Sequence, residues 1–207
     1  MKKTFVIGDI HGEFPLLIEL MNDLPIDWDN DRIVFLGDYI DRGNFIKETI
    51  NYLSQIKGDV VFLRGNHEDM FLKYLVGKDM ELYLLNGGKK TLSQIDDLIW
   101  LKDFIMKTQI YFEDENYFYI HGGLEDRSIE DNIRYCDPED LLWIRDDFIE
   151  SRYDWGKKIV FGHTIFETPL IEDNKIGIDT GAYINGVITC IELPSEKIYQ
   201  KKIYGTR

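Results

Sequence analysis

All four histidines of the chain lie in short polar turns that each follow a run of apolar residues. Aspartate and asparagine occur in the same kind of turn, which gives six candidate metal ligands: Asp9, His11, Asp38, Asn66, His121 and His163. A packing role does not explain this clustering. Imidazole, carboxylate and amide oxygen without thiolate suit cations such as Mn²⁺, Fe²⁺ or Zn²⁺. Six ligands are too many for one tetrahedral ion, and they suit two ions that share a bridging carboxylate.

The segment 36–43 concentrates charge at the end of an apolar run. It places Asp38, Asp41 and Arg42 within five residues, between glycines. Burying so many charges costs several kcal/mol per ion unless a metal or a counter-charge compensates. Two interpretations of this segment alone stay open: a polar turn with one surface ion pair, or a site for metal and phosphate.

The elements that must position these residues alternate along the chain. Short runs of β-branched and aromatic residues predict buried strands at 4–7, 32–36, 60–64, 117–120 and 158–161. Apolar residues at helical spacing predict helices at 14–24, 45–56, 68–76, 91–106 and 139–149. Asp137 and Pro138 form a start signal for the last helix, and we interpret Glu68 as a helix-start residue rather than a catalyst. Loops at the carboxyl ends of such strands converge, so we expect the six ligands at one edge.

The C-terminal part predicts hairpins instead. Asn185-Gly186 suits a type I′ turn, which would pair 178–184 with 187–193, and 198–204 alternates like a half-exposed strand. No tandem repeat or linker interrupts the sequence, so we predict one domain over 1–207. The predicted fold class is α/β (α+β): a mixed sheet or two-sheet sandwich with helices outside.

Composition narrows the classes of function. The net charge of −14 argues against nucleic-acid binding by the overall field, although an acidic surface also serves solubility alone. An anionic substrate would then need a strong local positive charge, which divalent cations would supply. No apolar run approaches the ~20 residues that span a bilayer. We therefore expect no membrane as a partner. Cys136 and Cys190 form no close-spaced pattern, which favours a reduced, cytoplasmic setting.

Five motifs in order carry a family resemblance: Gly8-Asp9-Ile10-His11-Gly12, Gly37-Asp38-Tyr39-Ile40-Asp41-Arg42-Gly43, Gly65-Asn66-His67-Glu68, His121-Gly122-Gly123 and Gly162-His163. They resemble the signature motifs of the calcineurin-like metallophosphoesterases. More narrowly, they are similar to the phosphoprotein phosphatases of the compact bacterial and bacteriophage-lambda type. The similarity extends from residue 5 to about residue 193 and includes 85–88, 142–145 and 178–182. It implies a central β-sandwich flanked by helices.

The resemblance also implies a role for each site residue. Asp9 and His11 would bind one metal, Asp38 would bridge, and Asn66, His121 and His163 would bind the second. Mn²⁺ is the favoured ion, with Fe²⁺ or Zn²⁺ as alternatives. Arg42, Arg145 and Asn66 would hold the phosphate, while His67, supported by Asp41, would act as general acid for direct attack by a dimetal-bound hydroxide. For Arg145 an alternative stays open, a helix-surface ion pair with Asp146 or Asp147.

The function implied is that of a serine/threonine protein phosphatase, with phosphotyrosine as a further substrate and phosphorylated proteins or peptides as partners. A symmetrical diadenosine-tetraphosphate hydrolase is the alternative, because it shares most of the motifs. We expect nucleotide-cleaving relatives to replace Asp41. A third hypothesis, a catalytically dead binding module, is disfavoured because no ligand is missing.

Overall fold

The computed structural model describes residues 2–203, and within that range ten strands form two five-stranded sheets. The strands are β1 Thr4–Ile7, β2 Arg32–Phe35, β3 Asp59–Phe62, β4 Tyr111–Glu113, β5 Tyr117–Ile120, β6 Lys158–Phe161, β7 Leu170–Ile171, β8 Lys175–Gly177, β9 Val187–Leu193 and β10 Lys197–Lys202. The five strands predicted before the C-terminal part are all present, with ends that shift by at most two residues, and the predicted segment 187–193 coincides with β9.

Both sheets mix parallel and antiparallel pairs. The first has the order β10-β9-β1-β2-β3, in which β1, β2 and β3 are parallel and β9 and β10 are antiparallel additions. The second has the order β4-β5-β6-β8-β7, with β5, β6 and β8 parallel. The predicted fold class, a sandwich of mixed sheets flanked by helices, is therefore confirmed.

Ten α-helical segments and one π-helical turn at Leu84–Gly88 complete the described part of the chain. The helices are α1 Phe14–Asp23, α2 Ile46–Gln55, α3 Asn66–Leu75, α4 Met80–Tyr83, α5 Lys89–Gln94, α6 Leu98–Ile105, α7 Ile129–Tyr135, α8 Pro138–Trp143, α9 Asp146–Glu150 and α10 Ala182–Asn185. None of the helices between residues 2 and 203 is long and apolar enough to cross a membrane.

Successive residues of a central strand enter different cores. Phe5 and Ile7 of β1 pack with the apolar faces of α1, α2, α3 and α6, whereas Val6 packs between the two sheets. Val160 of β6 joins the same inner layer, and Phe161 turns outward toward α8 and α9. The central strands are buried on both faces, which is why they consist of continuous apolar runs rather than alternating ones.

Two predicted helices are each divided in the structure. The segment 91–106 breaks after Gln94, because the carboxylate of Asp97 accepts the amide protons of Ile99 and Trp100 and so begins a new helix, α6. The segment 139–149 breaks at Ile144 and Arg145, between α8 and α9. The prediction of one continuous helix was wrong in both places, although Asp137 does cap α8 as predicted.

The predicted hairpin around Asn185-Gly186 is also wrong. Asn185 ends the short helix α10, and Gly186 takes a left-handed conformation with φ 65° just after it. Residues of this type end helices as readily as they form tight hairpins. Strand β9 pairs with β1 and β10, so the chain crosses from the second sheet to the first between β8 and β9. The last predicted strand corresponds to β10, and its final residue, 204, lies outside the described residues.

Candidate dimetal site

The chemically reactive residues gather at one edge of the sandwich, as the parallel strands predict. Asp9 and His11 follow β1; Asp38, Asp41 and Arg42 follow β2; Asn66 and His67 follow β3; His121 follows β5; and His163 follows β6. All of them are buried except Arg42, which is partly exposed.

The carboxylate of Asp38 lies between two imidazoles. Its Oδ2 is 3.4 Å from Nε2 of His11, and its Oδ1 is 3.4 Å from Nε2 of His121. Each histidine has Nδ1 at 2.9 Å from a backbone carbonyl, that of Ile40 for His11 and that of Leu36 for His121. A carbonyl can only accept, so each ring carries its proton on Nδ1 and turns the lone pair of Nε2 toward Asp38.

Asn66 joins this group from the start of α3. Its Oδ1 lies 2.9 Å from Nε2 of His121 and 3.0 Å from Nδ1 of His163. The ligand atoms of Asp38, His121 and His163 fall within 4.8 Å of one another, as do those of His11, Asp38 and His67. Asp9 belongs to neither group, and both of its carboxylate oxygens lie 3.2 Å from the backbone amide of His163.

Burial keeps these histidines neutral. It lowers the pKa of His11 to about 3, with help from the neighbouring His67. It also lowers the pKa of His121, and it lowers the pKa of His163 strongly, with the nearby His121 adding to the effect. Burial, followed by the charges of Asp179 and Asp38, raises the pKa of Asp9. A neutral imidazole presents the lone pair that metal coordination requires.

The donor set fits divalent cations. Nε2 of His121 lies 2.9 Å from Oδ1 of Asn66 and 3.4 Å from Oδ1 of Asp38, and since all three atoms are acceptors, no proton joins this nitrogen to either oxygen. Such a buried group of acceptors is stable only when positive charge compensates it. Imidazole, carboxylate and amide oxygen in one group match Mn²⁺, Fe²⁺ or Zn²⁺.

A second pair lies beside these groups. Nδ1 of His67 is 2.7 Å from Oδ2 of Asp41, and the two side chains are 1% and 0% exposed. Burial disfavours the charged ring, but the carboxylates of Asp38 and Asp41 outweigh it and raise the pKa of His67. Nη2 of Arg42 lies 2.8 Å from Nε2 of His67. A guanidinium can only donate, so Nε2 accepts and the ring proton sits on Nδ1, toward Asp41.

Arg145 reaches the site because of the break between α8 and α9. Its backbone has φ −136° and ψ −97°, outside the helical range, and its Nε donates to Nε2 of His163 at 2.9 Å. No ion pair of Arg145 with Asp146 or Asp147 occurs in the described part of the chain. The alternative of a helix-surface ion pair therefore does not apply, and both arginines lie at the edge of the cluster.

The loops of the site are held in unusual backbone conformations. Five non-glycine residues have φ between 48° and 68°: His11, Asp38, Asp41, Arg42 and His163. Each left-handed residue costs on the order of 1–2 kcal/mol, and such strain concentrates at functional sites.

Glu68 stabilises the most strained of these loops. Its carboxylate accepts the amide protons of Asp38 at 2.8 Å, Tyr39 at 2.9 Å and Gly65 at 2.9 Å. The prediction that Glu68 is a helix-start residue is confirmed, because it lies in the first turn of α3 and its carboxylate accepts the amide proton of Gly65, the residue before the helix. Sequence reasoning missed its second role, the connection between the loop after β2 and the start of α3.

Sequence reasoning also missed Tyr83 and Thr91. Both hydroxyls contact the carboxylate of Asp41, although the two residues lie 42 and 50 positions away along the chain. The segment 85–88 between them was noted only as part of the resemblance, and no residue type or spacing indicated these contacts.

Together, the fold and the site define a metal-dependent hydrolase: a two-sheet sandwich with an aspartate, asparagine and histidine cluster and two guanidinium groups at one edge. The model of the calcineurin-like phosphoesterase family matches residues 2–182, and the chain belongs to this family. Members of this family carry a dimetal centre, in agreement with the donor set described above.

Curated relatives of the chain include proteins with two different named activities. It is 27% identical to serine/threonine-protein phosphatase 2 of Salmonella typhimurium, over 93% of each chain. It is 25% identical to the asymmetrical bis(5'-nucleosyl)-tetraphosphatase PrpE of Halalkalibacterium halodurans, over 91% of this chain and 89% of the relative.

Solved structures show the same fold. A candidate diadenosine tetraphosphatase superposes with a TM-score of 0.75 at 18% identity and covers 98% of this chain and 95% of its own. A cold-active protein tyrosine phosphatase superposes with a TM-score of 0.65 at 19% identity, over 97% of this chain and 76% of its own.

Proposed function

We propose that the protein is a serine/threonine protein phosphatase that also accepts phosphotyrosine. The observation that carries this proposal is the buried His67–Asp41 pair, 2.7 Å apart, beside two arginines. A serine or threonine alkoxide is a poor leaving group and needs a proton as it departs. The nucleotide phosphates that leave when a dinucleoside polyphosphate is cleaved are much better leaving groups and need a proton much less. A buried histidine–carboxylate pair is therefore better suited to an alkyl phosphate.

The metals would be held by the six ligands of the cluster. We assign Asp9 and His11 to one cation, Asn66, His121 and His163 to the other, and Asp38 to both. Bound divalent cations, with Mn²⁺ favoured, supply Lewis acidity that activates water near neutral pH and offsets phosphoryl charge.

Arg42 and Arg145 would bind the phosphoryl oxygens, and Asn66 would add its amide group. In the free protein each guanidinium instead donates to an imidazole, Arg42 to His67 and Arg145 to His163. A phosphate dianion offers much stronger acceptors than a neutral ring nitrogen. Binding of the substrate therefore turns both guanidinium groups toward the phosphate and frees Nε2 of each histidine.

His67 would then complete the reaction as general acid. The bond from phosphorus to the attacking water oxygen forms as the bond to the leaving oxygen breaks. Once Arg42 has turned to the phosphate, Nε2 of His67 takes up a proton from solvent and the ring becomes charged. That proton then passes to the leaving oxygen, while Asp41 accepts the hydrogen bond from Nδ1 and stabilises the charged ring. The attacking water releases its proton to solvent, from which His67 is protonated again. No side chain forms a covalent bond to phosphorus.

The partners we propose are phosphorylated proteins or peptides, with neither nucleic acid nor membrane as a substrate surface. The net charge of −14 supports this, because a polyanion would be repelled at long range. A small phosphopeptide needs only the local positive charge of the two arginines and the bound cations. Action in the cytoplasm is part of the same proposal.

A dinucleoside-tetraphosphate hydrolase is the second candidate. The named PrpE relatives favour it, since they match the chain over nine-tenths of its length at about the same identity as the protein phosphatase. Their names specify asymmetrical cleavage, whereas the sequence led us to expect the symmetrical type. Our expectation that nucleotide-cleaving relatives lack an aspartate at position 41 stays a prediction.

One assay separates the two candidates. Mn²⁺-loaded protein is given phosphoserine, phosphothreonine and phosphotyrosine peptides and, separately, diadenosine tetraphosphate, and the products are quantified. We expect a higher kcat/KM for the phosphoserine and phosphothreonine peptides. A higher value for the dinucleotide would overturn the proposal, and its products would then give the type of cleavage: two ADP for symmetrical, ATP and AMP for asymmetrical.

A further inference from the structure

The carboxylate of Asp41 has two additional hydrogen-bond donors on the side away from His67. Oγ1 of Thr91 lies 2.5 Å and the hydroxyl of Tyr83 lies 3.1 Å from Oδ1, while Oδ2 faces His67. Asp41 and Thr91 are completely buried, and so is Tyr83. Both oxygens of this carboxylate are therefore engaged by hydrogen-bond partners in its present orientation.

Thr91 also holds the backbone of the residue that it contacts. The amide of Asp41 donates to Oγ1 of Thr91 at 3.0 Å, and the same hydroxyl donates to the side chain of Asp41. This closed pair of hydrogen bonds fixes both ends of a residue whose φ is 68°. Because an aspartate in this conformation is strained, an outside partner is needed to keep it there.

Tyr83 is placed by the turn that follows it. A Cβ atom at Gly88 would lie 2.5 Å from Cε1 of Tyr83, so only glycine lets the ring lie against this backbone. Phe71 and Tyr74 contact the ring on other sides, with centroid distances of 6.0 Å and 5.1 Å. Burial, and then the charge of Asp41, raises the pKa of the phenol, which keeps its proton and remains a donor.

The same segment supports the neighbouring residues of the loop. Nε2 of Gln94 donates to the carbonyl of Gly43 at 3.0 Å, and Oε1 of Gln94 accepts from the amide of Ile46 at 2.8 Å. A Cβ atom at Gly87 would lie 2.9 Å from Cγ of Arg42. The stretch from Tyr83 to Gln94 is thus the surface on which the loop from Asp41 to Gly43 rests.

We infer that Thr91 and Tyr83 are positioning residues that aim the Asp41 carboxylate at His67 and so set how well the enzyme cleaves esters with poor leaving groups. This inference rests on the proposed function, because it assumes that His67 protonates a leaving oxygen. Both hydroxyls contact Asp41 on the side away from His67, so their effect on the reaction would pass through Asp41.

The leaving group provides a direct test. We expect T91V and Y83F each to lower kcat on phosphoserine peptide about tenfold, a part of the roughly 10²- to 10⁴-fold that general acid catalysis contributes, and to lower kcat on p-nitrophenyl phosphate less than about threefold. The nitrophenolate leaves without a proton, so a fault in proton delivery does not slow it. T91S keeps the hydroxyl, and we expect it to keep the activity of the unmodified protein on both substrates.

Two matched controls remove a hydroxyl elsewhere. T49V deletes the hydroxyl of the buried Thr49, which donates to the carbonyl of Phe45 just before α2, and Y74F deletes the hydroxyl of the half-buried ring beside Tyr83. We expect both to keep the ratio of the two rates. Thermal unfolding of every variant identifies loss of folded protein, and if T91V does not fold, Y83F and T91S carry the comparison.

These measurements distinguish failure of the positioning role from failure of the proposed function. If T91V and Y83F slow both substrates equally, or slow neither, the positioning role is wrong while the proposed function stands. If the unmodified protein itself fails to cleave phosphoserine peptide, the proposed function is wrong.

Discussion

Oδ2 of Asp41 lies 2.7 Å from Nδ1 of His67, and neither side chain is open to solvent. This contact joins Asp41, which is in neither group of candidate metal-binding atoms, to His67, which lies in the group with His11 and Asp38. The cluster around Asp38 explains how the protein could activate water, and the His67–Asp41 pair explains how a leaving group could be protonated. The two parts have separable consequences for activity.

Substitution of the acid pair will affect substrates according to their leaving groups. We expect D41N and H67N to lower kcat on phosphoserine peptide by about 100-fold or more, because general acid catalysis contributes roughly 10²- to 10⁴-fold. The loss on p-nitrophenyl phosphate should be much smaller. Steady-state kinetics on both substrates measure the ratio, and equal losses would contradict the assignment of His67 as general acid.

Removal of divalent cations will abolish activity and lower stability. A chelator should leave the buried carboxylates of Asp9 and Asp38 without compensating charge, and added Mn²⁺ should restore both properties. A cation at about 100 times its Kd stabilises the folded state by about 2.7 kcal/mol. Thermal unfolding with and without Mn²⁺ gives the shift.

Two matched variants test whether the stabilisation by Mn²⁺ comes from binding at the cluster around Asp38. D38N should lose most of the stabilisation by Mn²⁺, whereas D96N, at a side chain that is 98% exposed, should keep it. Activity that persists in chelator would refute the two-metal interpretation.

Glu68 should matter for stability more than its place at a helix start suggests. In E68Q one of the two acceptor oxygens becomes an NH₂ group that faces backbone amides, which include those of Asp38 and Tyr39. A buried donor left without a partner costs about 1–3 kcal/mol, so we expect a loss of that size. Urea unfolding in chelator measures it, with E19Q on the exposed side of α1 as the control. A loss no larger than that of E19Q would show that the bridge between the loops is unimportant.

Much of this arrangement was accessible from the sequence, and the exceptions have physical causes. The five strands were predicted because they are buried on both faces and therefore form continuous apolar runs. The helix breaks at Asp97 and Arg145 were not predicted. Aspartate and arginine are also common on the exposed face of an uninterrupted helix, so their presence does not indicate a break. Asn185-Gly186 favours left-handed backbone in a hairpin and after a helix alike. Only tertiary contacts distinguish these cases.

The residues of the site likewise include some that the sequence predicted and some that it did not. The six candidate ligands were predicted because histidine is rare in the chain and polar turns with these residue types repeat after each strand, whereas the His67–Asp41 pair was predicted from the family resemblance. Thr91 and Tyr83 were missed, because hydroxyl-bearing residues are common in helical segments and their partner lies 50 and 42 residues away. Glu68 was assigned only its local role, since capping depends on nearby residues and the contact with the loop after β2 does not.

Arg145 should contribute to substrate binding. Its Nε donates to His163 in the free protein, and we propose that a bound phosphate takes over this donor. Loss of a hydrogen bond to a charged group costs about 1.5–3 kcal/mol, so R145A should raise KM for phosphopeptide by roughly 10- to 150-fold, and R145K should recover part of the loss. R152A is the control, because Arg152 is 75% exposed and pairs with Glu172 on the surface. Initial-rate measurements give kcat and KM separately, and an R145A protein with the KM of R152A would remove Arg145 from the phosphate site.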